Sequence, residues 1–265
     1  MIMPAVYAHQ LFGYEVLKKL PHTLTDLINA HKTQFQIGLQ GPDYLFFYKP
    51  LSKNTISQTG YTMHYAPAKD FLEKVLPVIH EEGITSPAYA YLLGFICHFM
   101  LDSTCHPYVE EKVIELGFNH IEMESEFERF LLLKNNHNPL SYPTCKLIPT
   151  DDVTAMTIAS LYEGITVPKV KRALLSMYYY KMLLTSPHSV KRNLLISLLH
   201  VTGHYESMQG HLLRPDANPK SATTNPELLQ LFKEAIPDTV SILQDFHETV
   251  ISGKNLNERF NRNFD

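Results

Sequence analysis

Eight side chains able to hold a metal ion occur in the order His9, Asp43, His64, His98, Asp102, His106, His120 and Glu124. Three of them crowd into GFICHFMLDSTCHPYV, residues 94–109, where His98, Asp102 and His106 stand four residues apart in an apolar run. On a helix that spacing stacks them on one stripe about 12 Å long. A buried stripe of imidazole and carboxylate needs partners, because an unpaired buried charge is costly, and a divalent cation satisfies both ligand types at once. His120 and Glu124 repeat the four-residue step. The chain therefore has two HxxxD/E pairs, each able to converge on one ion while other elements supply further ligands. Either pair alone also fits a hydrogen-bonded core pair or a solvated helix face, and it is the set of eight in order that points to metal.

The elements that must position these groups read as helices. Helical periodicity runs through 5–19, 24–38, 66–82, 87–105, 120–133, 152–163, 168–185, 188–212 and 227–251. Ser86-Pro87, Ser186-Pro187 and Asn225-Pro226 each read as an N-cap followed by proline at the first helical position. Asn119 with Glu122 reads as a capping box opening the helix of His120 and Glu124. Proline, asparagine, serine and threonine mark loops at 40–64, 134–150 and 213–226. No alternating strand pattern or hairpin turn stands out, and no segment has the character of a domain linker. The expectation is an all-α, multi-helix bundle with residues 1–265 forming one domain.

Composition narrows the function. The net charge of −4, from 23 basic and 27 acidic residues, lacks the electrostatic footprint of a duplex nucleic-acid binder. No apolar run is long enough to predict a transmembrane segment, and the amino terminus has no separate signal-type core. Cys97, Cys105 and Cys145 are too few, and odd in number, for a disulfide framework. A cytoplasmic location is the expectation.

At its eight metal-ligating residues the sequence resembles the zinc-dependent phospholipase C family, related to the S1/P1-type nucleases. The motifs carrying that resemblance span about residues 5 to 130. It implies an all-α bundle around three zinc ions, with Asp43, His64, His98 and Asp102 at the first, His106, His120 and Glu124 at the second, and His9 with Asp102 at the third. It further implies that Tyr44, directly after Asp43, contacts the substrate head group, although a hydrophobic anchor after a turn fits the same residue equally well. Secreted members place the second-zinc histidine six residues after the bridging aspartate. Here His106 follows Asp102 by four and immediately precedes Pro107, which predicts a bend or end of the helix there. The secreted members also complete the third site with the amine and carbonyl of an amino-terminal tryptophan, and this chain contains no tryptophan. Loss of Met1 to Met3 would expose the Pro4 amine, only five residues before His9. Two firmly held ions and a weaker third are expected.

Clustered zinc binds phosphoryl oxygens, lowers the pKa of a bound water and stabilises charge on an attacked phosphorus. The resemblance thus implies hydrolysis of a phosphate ester, with Asp43 as ligand and general base. Its partner would be a small phosphate ester or phospholipid head group. Two alternatives stay open: a nuclease or phosphomonoesterase acting on soluble nucleotides, and a non-catalytic zinc-binding helical scaffold. HD-type hydrolases are set aside, because no adjacent His-Asp pair occurs. His200, His204 and His211 have no carboxylate spaced to join them and read as pocket lining or core hydrogen bonding.

Overall fold

A computed structural model describes residues 5–50 and 52–264, the side chains of Glu206 and Ser207 aside. Among these residues the chain is built of helices and contains no strand. In order they are α1 (Val6–Leu17), α2 (His22–Ala30), α3 (Lys32–Gly38), α4 (Thr55–Tyr65), α5 (Ala68–Glu82), α6 (Pro87–Leu116), α7 (His120–Lys134), α8 (Asp152–Leu161), α9 (Val167–Leu184), α10 (Ser189–Val201), α11 (Tyr205–Met208) and α12 (Ser221–Ser252). Short 3₁₀ turns lie at Asp43–Phe47, Thr144–Leu147, Gln209–His211 and Glu258–Asn261.

The centre of the molecule is α6. Ser86 caps it by accepting the Tyr89 N–H at 3.2 Å, and Pro87 follows at the first turn, as the sequence predicts. Its residues from Ala88 to Ser103 are all buried, because α3, α1 and α12 pack around it. That near-total burial explains why the 3.6-residue amphipathic signal is weak along this helix. The closest packing is against α3, where Gly38 faces Gly94. A Cβ on Gly38 would lie 2.2 Å from the Tyr91 carbonyl oxygen, and one on Gly94 would lie 2.3 Å from that of Phe35. Only glycine lets the two backbones approach this closely.

Several sequence expectations need correction. Helix α6 does not end at Pro107 but continues to Leu116. An interior proline costs about 3 kcal/mol, yet fully burying even two large apolar side chains contributes a similar amount, and α6 buries far more. The expected helix 24–38 is divided at His31, whose Nε2 lies 2.8 Å from the Thr85 carbonyl oxygen. The expected loop 40–64 contains both a 3₁₀ turn and α4, capped by Asn54 accepting the Ser57 N–H at 3.0 Å. Ser186 does not cap α10, which starts at Ser189 after His188. Asn225 does not cap α12 either, since that helix begins at Ser221 and carries Pro226 inside its first turns. The expected helix 188–212 breaks at Gly203, whose φ of +70° is left-handed.

Candidate metal centre

Five elements deliver the eight expected ligands to one buried region. His9 comes from α1, Asp43 from the 3₁₀ turn after α3, and His64 from the last turn of α4. His98, Asp102 and His106 come from α6, and His120 and Glu124 from the first turns of α7. Asn119 caps α7 by accepting the Glu122 N–H at 3.2 Å, while the Glu122 carboxylate bonds Asn218 instead of closing the capping box. All eight ligands are buried.

They assemble as three groups, each with its ligand atoms within 4.8 Å of one another: Asp43, His64 and His98; His106, His120 and Glu124; and His9, His98 and Asp102. The Asp102 carboxylate joins them. Its Oδ2 lies 3.0 Å from His98 Nε2, while Oδ1 lies 3.3 Å from His9 Nε2 and 3.8 Å from His106 Nε2. Asp43 Oδ1 is 3.1 Å from His64 Nε2 and 3.8 Å from His98 Nε2. Glu124 Oε1 stands 3.0 Å from His120 Nε2 and 3.3 Å from His106 Nε2. The uninterrupted α6 thus turns His106 toward Glu124 without any break at Pro107.

The protonation pattern of this cluster is what fits a cation. His64 Nδ1 donates to the Gly60 carbonyl at 2.8 Å and His98 Nδ1 to the Leu39 carbonyl at 3.3 Å. A carbonyl has no proton to give, so Nδ1 is the protonated nitrogen and a neutral ring presents the Nε2 lone pair. That lone pair faces a carboxylate oxygen, itself only an acceptor. Among the described residues His64 Nε2, His98 Nε2, Asp43 Oδ1 and Asp102 Oδ2 have no properly aligned hydrogen-bond partner. His120 also has an acceptor at each nitrogen, but both are hydrogen-bonded: Nδ1 to Glu110 at 2.8 Å and Nε2 to Glu124 at 3.0 Å. Acceptor against acceptor in a buried site requires either a second proton on each ring or a shared cation.

Electrostatics express the same tension. Burial raises the Asp102 carboxyl pKa, but His98, His106 and His9 outweigh it and hold the group well below the ordinary range. For Glu124 burial is likewise outweighed by His120 and His106, and its pKa falls to about 2. Burial lowers the proton affinity of His98, yet Asp102 and Asp43 more than reverse this; Glu124 does the same for His120. His9 behaves oppositely, since burial and the neighbouring His98 ring, stacked at 4.3 Å, bring it down to about 4.

The sequence profile described as zinc dependent phospholipase C matches residues 8–164. The chain belongs to the zinc-dependent phospholipase C family. No curated protein and no solved structure matches it. The matched span contains every ligand group above, and the all-α fold agrees with the family. Zinc is accordingly the metal that the family and the three groups together support.

Two expectations drawn from this family resemblance change in the structure. Tyr44 is fully buried, edge-on to Tyr162 at 5.9 Å between ring centroids. It forms packing behind Asp43 and offers no exposed face to a substrate. Pro4, considered as a source of a free amine, lies outside the described residues. The third group gains a ligand that the sequence reading assigned elsewhere, because His98 reaches toward His9 and Asp102 as well as Asp43.

Some contributors escaped the sequence reading. Glu110 continues the 98–102–106 stripe by one more four-residue step, a signal hidden by the expectation that the helix stops before Pro107. Phe264, near the carboxyl terminus, donates its N–H to the His64 carbonyl at 3.2 Å and packs against the rings of His64 and His98. Beside Glu124, Glu128 accepts the Tyr7 N–H at 3.2 Å, and burial pushes its pKa to about 7 despite the opposing charge of Lys181. Glu128, Lys181 and His211 line a common cavity, and burial with the Lys181 charge brings His211 to about 3. His200 is exposed and stacks on Tyr205 at 3.8 Å, and His204 is exposed before α11. Neither these two nor His211 belongs to a candidate metal group among the described residues.

Proposed function

We propose that this protein is a zinc-dependent phosphoric ester hydrolase, specifically a phospholipase C-like phosphodiesterase acting on a small phosphate ester or phospholipid head group. The observation that carries the reading is the set of imidazole Nε2 atoms aimed at buried carboxylate oxygens, with Nδ1 of His64, His98 and His120 already tied down. Asp43, His64, His98 and Asp102 would hold the first ion, and His106, His120 and Glu124 the second. His9 and Asp102 would hold a third, sharing His98 with the first. Bound zinc supplies a Lewis acid for phosphoryl oxygens and a water acidic enough to deprotonate near neutrality.

The chain's own residues do the rest. Asp43 accepts a proton from the attacking water, and Asp102 balances charge between groups through its two oxygens. Attack on phosphorus breaks the ester bond, the leaving oxygen takes a proton, and a diester yields an alcohol and a phosphate monoester. The Leu39 and Gly60 carbonyls hold the His98 and His64 rings in the tautomer that presents Nε2. We read 1–265 as one domain working without duplex nucleic acid. The unpaired, buried cysteines fit a reducing, cytoplasmic setting.

Metal analysis of purified protein, run beside a panel of chromogenic phosphodiesters and monoesters, tests this. Diester turnover that chelation abolishes and zinc restores is expected. Preference for monoesters or nucleotides would move the assignment to the nuclease-like alternative, and full zinc content with no turnover would favour the scaffold.

A further inference from the structure

Helix α10 is an apolar helix that the fold leaves uncovered. Of its residues only Arg192 is buried. Val190, Leu194, Leu198 and Val201 recur at steps of four, four and three, so they share one face, and their exposures are 78%, 69%, 56% and 86%. The end of α9 adds Tyr179, Met182 and Leu183, all exposed. The two helices are tied at that point, for Lys191 Nζ donates to the carbonyls of Met182 and Thr185 at 3.2 and 2.7 Å. Exposed leucine and valine in such continuity mark an interaction surface rather than scattered surface apolarity.

Charge identifies what the surface meets. None of the chain's 27 acidic residues lies in 164–205, whereas Lys169, Lys171, Arg172 and Lys191 do, beside the buried Lys181 and Arg192. Lys171 pairs with Asp152. Among the described residues Arg172 and Lys191 form no ion pair, and neither does Lys49, which shares the Tyr48 ring with Arg172. A second copy of this chain would bring like charge against like. A bilayer carrying anionic lipid complements both the apolar stripe and the cations.

We propose that the exposed α9–α10 face docks the protein on an anionic lipid surface. Its two helices lie outside the span matched by the family profile, whereas Lys49 lies within it. It borders a cavity lined by Phe47, Pro50, Tyr180, Lys181, Leu184 and His211. Phe47 ends the turn that begins with Asp43, and its ring meets Tyr180 at 5.9 Å. Docking would therefore seat lipid beside the turn that carries the general base. The catalytic meaning of docking rests on the hydrolase reading, but docking itself is a binding event.

Cosedimentation of the zinc-loaded full chain with vesicles of phosphatidylcholine, with and without about 30% phosphatidylserine, tests it over a range of salt. Binding only to the phosphatidylserine vesicles, weakening as salt rises, is expected. Leu194→Glu with Leu198→Glu should reduce binding by about tenfold or more. Arg172→Glu with Lys49→Glu should remove the preference for anionic lipid. Both pairs are at the surface, so melting temperature and turnover of a soluble ester should match the parent protein. Absence of vesicle binding by the parent, or unchanged binding by both double variants, overturns the proposal. So does a concentration-dependent dimer that Leu194→Glu with Leu198→Glu abolishes in a chain that ignores vesicles. Vesicle binding without ester turnover would leave docking standing and reject the hydrolase reading, and turnover without binding would do the reverse.

Discussion

His98 faces Asp102 across 3.0 Å, from Nε2 to Oδ2, while its other nitrogen is committed to the Leu39 carbonyl. The pair sits on one helix four residues apart, but a backbone atom just past the end of α3 decides which nitrogen is offered. Replacing Asp102 by Asn keeps the shape and removes the charge. Asp102→Asn should lose at least one zinc per chain and lower turnover by about two orders of magnitude or more, because the carboxylate it removes faces His98, His9 and His106 at once. Metal analysis with steady-state kinetics checks both, and unchanged stoichiometry would rule out the bridging role.

Gly41 has a φ of +49°, and a Cβ there would lie 2.1 Å from the His98 ring. Gly41→Ala should therefore cost about 1–2 kcal/mol for the left-handed backbone alone, and it should also displace His98. The expected result is a lower melting temperature and loss of metal from the Asp43–His64–His98 group. The His106–His120–Glu124 group should stay filled.

Zinc retention should fall as pH falls. Glu124 and Asp102 remain ionised well into acid, so protons compete for the imidazoles. Burial would make His98 and His120 poor bases, but the carboxylates beside them leave both with raised proton affinity. Competition consequently begins above the ordinary imidazole range and strengthens toward acid. Metal content after equilibration at a series of pH values checks this, and a flat profile between pH of about 5 and 7 would contradict it.

Dialysis should leave two ions and remove a third. His98 and Asp102 are the other members of the His9 group, and in the proposed assignment both also hold the first ion, so the third ion has His9 as its one unshared side chain. His9→Ala should leave the dialysed stoichiometry unchanged, and His204→Ala should do so as well, since His204 belongs to no group. Three ions surviving dialysis would refute the first statement. Loss of an ion in His204→Ala would refute the second.

The residues that gather in the three groups, their order along the chain and the helical class are all readable from sequence. His98–Asp102 and His120–Glu124 are local: a four-residue step on a helix brings two side chains to one face whatever surrounds it. Ser86-Pro87 and Asn119 were legible for the same reason, as each cap is a contact within one turn. Non-local choices lay beyond it. Pro107 stays inside α6 because packing from α1, α3 and α12 outweighs a local penalty, and Pro226 stays inside α12 against the same local rule. The Gly38–Gly94 approach sets where the Leu39 carbonyl and Asp43 fall relative to His98, and no spacing within either segment encodes that meeting. By sequence its neighbour Asp43 points Tyr44 toward the substrate, yet adjacent residues of a tight turn point apart, and the fold buries the tyrosine. Local geometry is written in intervals of three and four residues, whereas the pairing of distant segments depends on the complementarity of whole faces, which exists only once the chain has folded.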